Sequence, residues 1–66
     1  MTEPIVMIDW LDRRIRSVRM WLRDHGRSAK HPRTEHEILI KEEDLSMYEE
    51  IKVAYLRAVE NRRASA

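Results

Sequence analysis

This chain has no cysteine and no phenylalanine, a single glycine (Gly26), and two prolines, Pro4 and Pro32. Without cysteine there is no disulfide to staple a small fold and no thiolate to hold a metal. One glycine cannot build a glycine-rich loop whose backbone amides cradle phosphate. With so few helix breakers, long stretches are free to be helical. Long apolar runs are missing too. Ile5-Val6-Met7-Ile8 ends at Asp9, whereas a membrane span needs about 20 apolar residues and a signal peptide needs a basic start before its apolar stretch. The expectation is a soluble, cytoplasmic protein without a membrane partner.

Sixty-six residues are enough for one domain, residues 1–66. A domain this short buries only about 60% of its unfolded surface and is marginal unless something adds to its core. With disulfides excluded, the remaining device is association with another chain.

The charges come in blocks. Residues 1–12 hold three acids and no base, and residues 13–33 hold eight Lys or Arg against Asp24 alone. Residues 34–60 hold eight acids and three bases, and Arg62 and Arg63 follow. The net charge of +1 therefore hides a strong alternation along the chain.

Ile8, Leu11, Ile15, Val18 and Leu22 are spaced 3, 4, 3 and 4, which predicts a helix over about residues 5–25. With Met7, Trp10 and Trp21 they fill a face about 160° wide, opposite Arg13, Arg16, Arg19 and Arg23. Gly26 suits a helix stop, and residues 26–33 form a polar basic loop. A second helix runs from a start between residues 34 and 46 to about 63. Ser46-Met47-Tyr48-Glu49 fits a capping box, and so does Thr34-Glu35-His36-Glu37. The β-branched Ile38 and Ile40 leave a short strand as the competing reading of residues 34–45. Within the helix, Met47, Ile51, Ala54 and Ala58 form a row beside Tyr48, Tyr55 and Val59.

The expected fold is all-α: an antiparallel helical hairpin associating into a dimeric four-helix bundle. Placing Leu22 beside Tyr48 sets Val18 near Ile51, Ile15 near Tyr55 and Leu11 near Ala58. Arg16, Arg19 and Arg23 then run at the level of Glu50, Glu49 and Glu43, with Asp9 and Asp12 near Arg57 and Arg62. The helical arginines thus have an internal explanation. The loop bases Arg27, Lys30 and Arg33 have only Glu35 and Glu37 as near acids and are the candidates for phosphate or an acidic partner.

Trp10 and Trp21 stand three turns apart on one side of an apolar face too wide for a single helix to cover. A second copy is the simplest cover, giving a homodimer with Met7, Trp10, Leu11, Val18 and Trp21 as the interface. Another protein docking at the tryptophans is the alternative. Arg14, one turn after Trp10, is placed to stack on its ring.

Catalytic patterns are lacking: there is no nucleophile elbow and no H-E-x-x-H. His25, His31 and His36 are the only nitrogen ligands, and the five-residue step from His31 to His36 does not set two ligands one turn apart. No enzyme activity, metal or cofactor is expected. The expected function is a small self-associating interaction or adaptor module.

DNA binding is the competing class. Val18-Arg19-Met20-Trp21-Leu22-Arg23, with Glu37-Ile38-Leu39-Ile40-Lys41-Glu42-Glu43-Asp44-Leu45, resembles a small excisionase-type winged helix over about residues 17–51. The resemblance implies a recognition helix, a wing strand and a short helix, with duplex DNA as partner. Membrane-surface binding by the basic, Trp-bearing first helix is a third class, opposed by the interleaved Asp9, Asp12 and Asp24.

Overall fold

The computed structural model describes residues 2–65. Two helices, α1 (Pro4–His25) and α2 (Glu35–Ser65), pack against each other as a hairpin. Pro4 opens α1, where its missing N–H costs nothing. At the other end the Gly26 N–H donates to the Leu22 carbonyl at 2.8 Å. Gly26 has an ordinary negative φ of −83°, so it does not close the helix in the left-handed manner expected of a glycine stop. Its small size matters instead, because it is buried. A β-carbon there would press on the Leu22 backbone, 3.1 Å from its carbonyl carbon and nearer still to the oxygen.

The chain turns through residues 26–34. The Ala29 N–H donates to the Gly26 carbonyl, and the Arg33 N–H returns to the His25 carbonyl at 2.9 Å, closing the loop onto the end of α1. Thr34 then caps α2: its hydroxyl accepts from the Glu37 N–H at 3.3 Å and its carbonyl accepts from the Ile38 N–H at 3.0 Å. The earlier of the two capping sequences is the one used, and residues 35–45 are helix, not strand. Ser46 lies inside α2. The wing strand implied by the excisionase resemblance is not found, since no strand occurs among the described residues and α1 is unbroken.

The early start of α2 changes how the two helices meet. Glu3 pairs with Arg62, Trp10 meets Tyr48, Asp12 pairs with Lys52, Arg19 with Glu49, and Lys41 lies over Trp21. These contacts run in opposite directions along the two helices, so the hairpin is antiparallel. The expected level of Arg19 with Glu49 is found. The expected neighbours Leu22 and Tyr48 are not: Tyr48 meets Trp10, and the register is offset by roughly two turns. The physical reason is Ile38. Held next to the loop by the Thr34 cap, it enters the core, and the inward positions follow from it in steps of three and four: Lys41, Leu45, Tyr48, Lys52, Tyr55 and Val59. Ile38 is 2% exposed, and the others are half-buried.

That choice turns the row Met47, Ile51 and Ala54 outward. Met47 is 54% and Ile51 43% exposed, so Ile51 and Ala58 are not the neighbours of Val18 and Leu11. Two lysines occupy inward positions because a two-helix seam is wet at both edges, where a lysine lays its aliphatic stem on the core and keeps its charge in water.

The resulting core is thin. Leu11, Ile15, Val18 and Ile38 are the buried apolar side chains. The molecule measures 51 × 20 × 14 Å with a radius of gyration of 15.0 Å, against about 11 Å for a compact domain of this length. Its accessible surface is 5475 Å², where a compact monomer of this mass exposes about 4,400 Å².

Truncating Leu11, which is 0% exposed, should therefore remove ~2–5 kcal/mol of stability, while Thr34→Ala should remove about 1 kcal/mol. Ile5→Ala, at a site 71% exposed, should be near neutral. Urea denaturation monitored by circular dichroism checks all three. A Leu11→Ala effect no larger than that of Ile5→Ala would show that the seam is not the core.

Candidate functional site

Two surfaces of the hairpin concentrate chemistry, and both arise from where α2 begins. The first is the edge on which the tryptophans stand. Trp10 is 39% exposed and meets Tyr48 edge-on, with ring centroids 5.9 Å apart and planes at 80°, the geometry in which a positive ring edge faces a negative ring face. The Arg14 guanidinium lies 5.0 Å from the Trp10 ring centroid, the stacking expected from the sequence. Trp21, half-buried, is covered by the Lys41 ammonium at 5.6 Å and by the His25 ring at 5.4 Å. Each tryptophan is thus partly clothed by its own hairpin.

Of the residues assigned from sequence to an interface, Leu11 and Val18 lie inside the hairpin, at 0% and 6% exposure. Met7 and Trp21 are half-buried, and Trp10 is open. A partner approaching this edge would meet Trp10 first.

The second surface is the basic loop. Arg27, expected to be short of acids beyond Glu35 and Glu37, is the best-paired cation among the described residues. Its Nε and Nη2 donate to the two oxygens of Glu42 at 3.1 and 3.0 Å, a bidentate fork. Its Nη1 also reaches the Glu35 carboxylate at 2.7 Å. Hydrogen bonding to Glu42 first, and to Glu35 second, raises the Arg27 pKa above the ordinary guanidinium value. Arg33 donates from Nε to Glu37 at 3.0 Å. Glu37 therefore turns to Arg33, and the Thr34 cap is completed on one side only. Lys30 is exposed, with no ion pair among the described residues. Of the three loop bases, Lys30 alone has no carboxylate partner among the described residues, whereas Arg27 holds two and Arg33 one.

The sequence offers Glu35 as a near acid for Arg27, whereas Glu42, seven residues further along α2, becomes a partner only through the fold. Once Thr34 is taken as the cap, Glu35 and Glu42 fall two turns apart on one face, beside the loop. That spacing was the available signal.

Elsewhere the exposed pairs Asp9–Arg13 at 3.3 Å and Arg23–Asp24 at 3.1 Å are local. The hydrogen bond from Arg23 holds the Asp24 carboxyl below the usual carboxylate range. An open groove on the edge opposite the tryptophans is lined by Met20, Val53 and Leu56 together with Arg16 and Arg23. Among the described residues no group of three or more His, Asp or Glu is arranged to hold a metal ion, and no described helix is long and apolar enough to cross a membrane.

Comparison with protein-family models, with curated proteins and with solved structures finds no match to this chain.

If the clasp fastens the loop to α2, Arg27→Gln should speed amide hydrogen exchange over residues 27–35 and lower Tm, whereas Lys30→Gln should do neither. Exchange followed by NMR on both variants checks this. Equal protection in the two would mean that the fork is a surface ornament without structural consequence.

Proposed function

We propose that this protein is a small, non-enzymatic helical interaction module whose first partner is a second copy of itself, the two hairpins forming a four-helix bundle. The observation behind this reading is the mismatch between core and surface. Among the described residues four apolar side chains are buried, while Ile5, Val6, Trp10, Met20, Leu39, Ile40, Met47, Ile51, Val53 and Leu56 are each at least 39% exposed. The surface exceeds that of a compact monomer by roughly 1,000 Å², close to the ~800 Å² that each partner contributes to a standard interface. A chain with so little buried surface has little stability of its own, and burying that excess against another copy supplies it.

Among the described residues no charged or polar side chain is buried in the hairpin, so its titratable groups stand at the open surface. The Trp10 edge adds an aromatic anchor of the kind enriched at interface hot spots.

The test is mass in solution. Sedimentation equilibrium at tens of micromolar should give twice the 8.0 kDa chain mass, and Tm should rise with protein concentration because folding and association are linked. Trp10→Ala should weaken association by ~2–4 kcal/mol if it is a hot spot. A monomeric mass with a concentration-independent Tm would refute self-association.

A further inference from the structure

The long helix α2 is apolar on two sides. One side, from Ile38 to Val59, faces α1. The other runs along Ile40, Met47, Ile51, Ala54 and Ala58, and within the hairpin nothing covers its largest members: Ile40 is 45%, Met47 54% and Ile51 43% exposed. Positions 40, 44, 47, 51, 54 and 58 repeat in steps of 4, 3, 4, 3 and 4, the seam of a helix that meets another helix lengthwise. Asp44 is its one polar member. A helix with two such seams is built to touch two neighbours, and α1 is only one of them.

We infer that this outer seam of α2 pairs antiparallel with the same seam of a second copy, about a two-fold axis passing near Glu50 and Ile51. The inference rests on the self-association proposed above and names its surface and direction. Three features of α2 select the occupant and its orientation. Residues 35–50 carry seven acids and one base, and residues 51–65 carry four bases and one acid. Antiparallel pairing lays the acidic half of each copy against the basic half of the other, where parallel pairing would set like on like. Glu43, Glu50 and Arg57, seven residues apart, share one flank of the seam. About this axis Glu43 meets Arg57 of the second copy twice, and only Glu50 meets its own copy. Side-chain size follows the same pattern. The large residues Ile40 and Met47 lie in the first half and the small Ala54 and Ala58 in the second, so the antiparallel arrangement sets large against small and fills the seam. A parallel arrangement would set alanine against alanine and leave a gap.

Because the chain has no cysteine, introduced thiols report geometry without background. Ile51→Cys, placed beside the axis, should form a disulfide-linked dimer under mild oxidation, since its two copies come within disulfide reach. Ile40→Cys alone should not, because its two copies would lie about 30 Å apart. An equal mixture of Ile40→Cys and Ala58→Cys should give the mixed dimer. Arg57→Glu should weaken association about tenfold, Glu50→Gln should strengthen it, and Glu43→Arg combined with Arg57→Glu should restore it. All these sites are exposed or half-buried in the hairpin, and circular dichroism verifies that each variant stays helical. If Ile40→Cys links to itself as readily as Ile51→Cys, the antiparallel arrangement is wrong. If the protein is dimeric but Trp10→Cys links and Ile51→Cys does not, the outer seam is wrong while self-association stands. A monomer at every concentration overturns both.

Discussion

A helix can bury only one stripe against one neighbour, and everything in this hairpin follows from that limit. Leu11, Ile15 and Val18 of α1 meet Ile38 and the half-buried side chains that follow it along α2, and among the described residues that seam holds the core. It is ordered from the loop end. The Thr34 cap starts α2 at Glu35, the Arg27 fork ties the loop to Glu35 and Glu42, and the Arg33 N–H closes it onto α1. Ile38 is thereby placed in the seam, and every later inward position is counted from it. At the far end, among the described residues, the cross-helix pair near the termini is Glu3–Arg62 at 3.5 Å, between side chains each 70% exposed. Such a pair contributes little.

The blockwise charges belong largely to this internal arrangement. The acids of α2 answer the bases of α1 and the loop through Arg19–Glu49, Arg27–Glu42 and Arg33–Glu37, and the sign reverses at Asp12–Lys52. The densest basic stretch of the chain is therefore less of a phosphate-binding surface than its composition suggests. Apolar surface stays uncovered at the Trp10 edge of α1, along the outer side of α2 and in the groove of Met20, Val53 and Leu56. That contrast, charges mostly paired and large apolar side chains mostly uncovered, is what the proposed self-association rests on.

α1 was legible in the sequence because it is amphipathic in the simple sense. Its apolar residues recur at one helical period on one side, and its breaks, Pro4 and Gly26, bracket it. The Arg14–Trp10 stack was legible for the same reason, being a contact within one helix. α2 resisted because apolar residues lie on two of its sides, so periodicity alone offered two inward faces. Periodicity from Met47 onward predicts one stripe of Met47, Ile51, Ala54 and Ala58 with Tyr48, Tyr55 and Val59 beside it; the structure follows Ile38, turning Tyr48, Tyr55 and Val59 inward and leaving Met47, Ile51 and Ala54 outside. The loop was misjudged in a related way, since the acids that satisfy Arg27 come from the part of α2 whose helical state was uncertain.

Local physical chemistry, then, was sufficient for the all-helical class, the reversal of direction at the loop, the helix α1 and the capacity of Thr34 to start α2. These depend on contacts between residues a turn or two apart, which a linear sequence displays directly. Which side of α2 faces α1, the offset of roughly two turns between the helices and the partnering of Arg27 were decided only by the tertiary structure. Each depends on two helices competing to bury the largest continuous apolar surface at once, and that competition is resolved when the Thr34 cap and the loop bring Ile38 into the seam ahead of Met47 and Ile51.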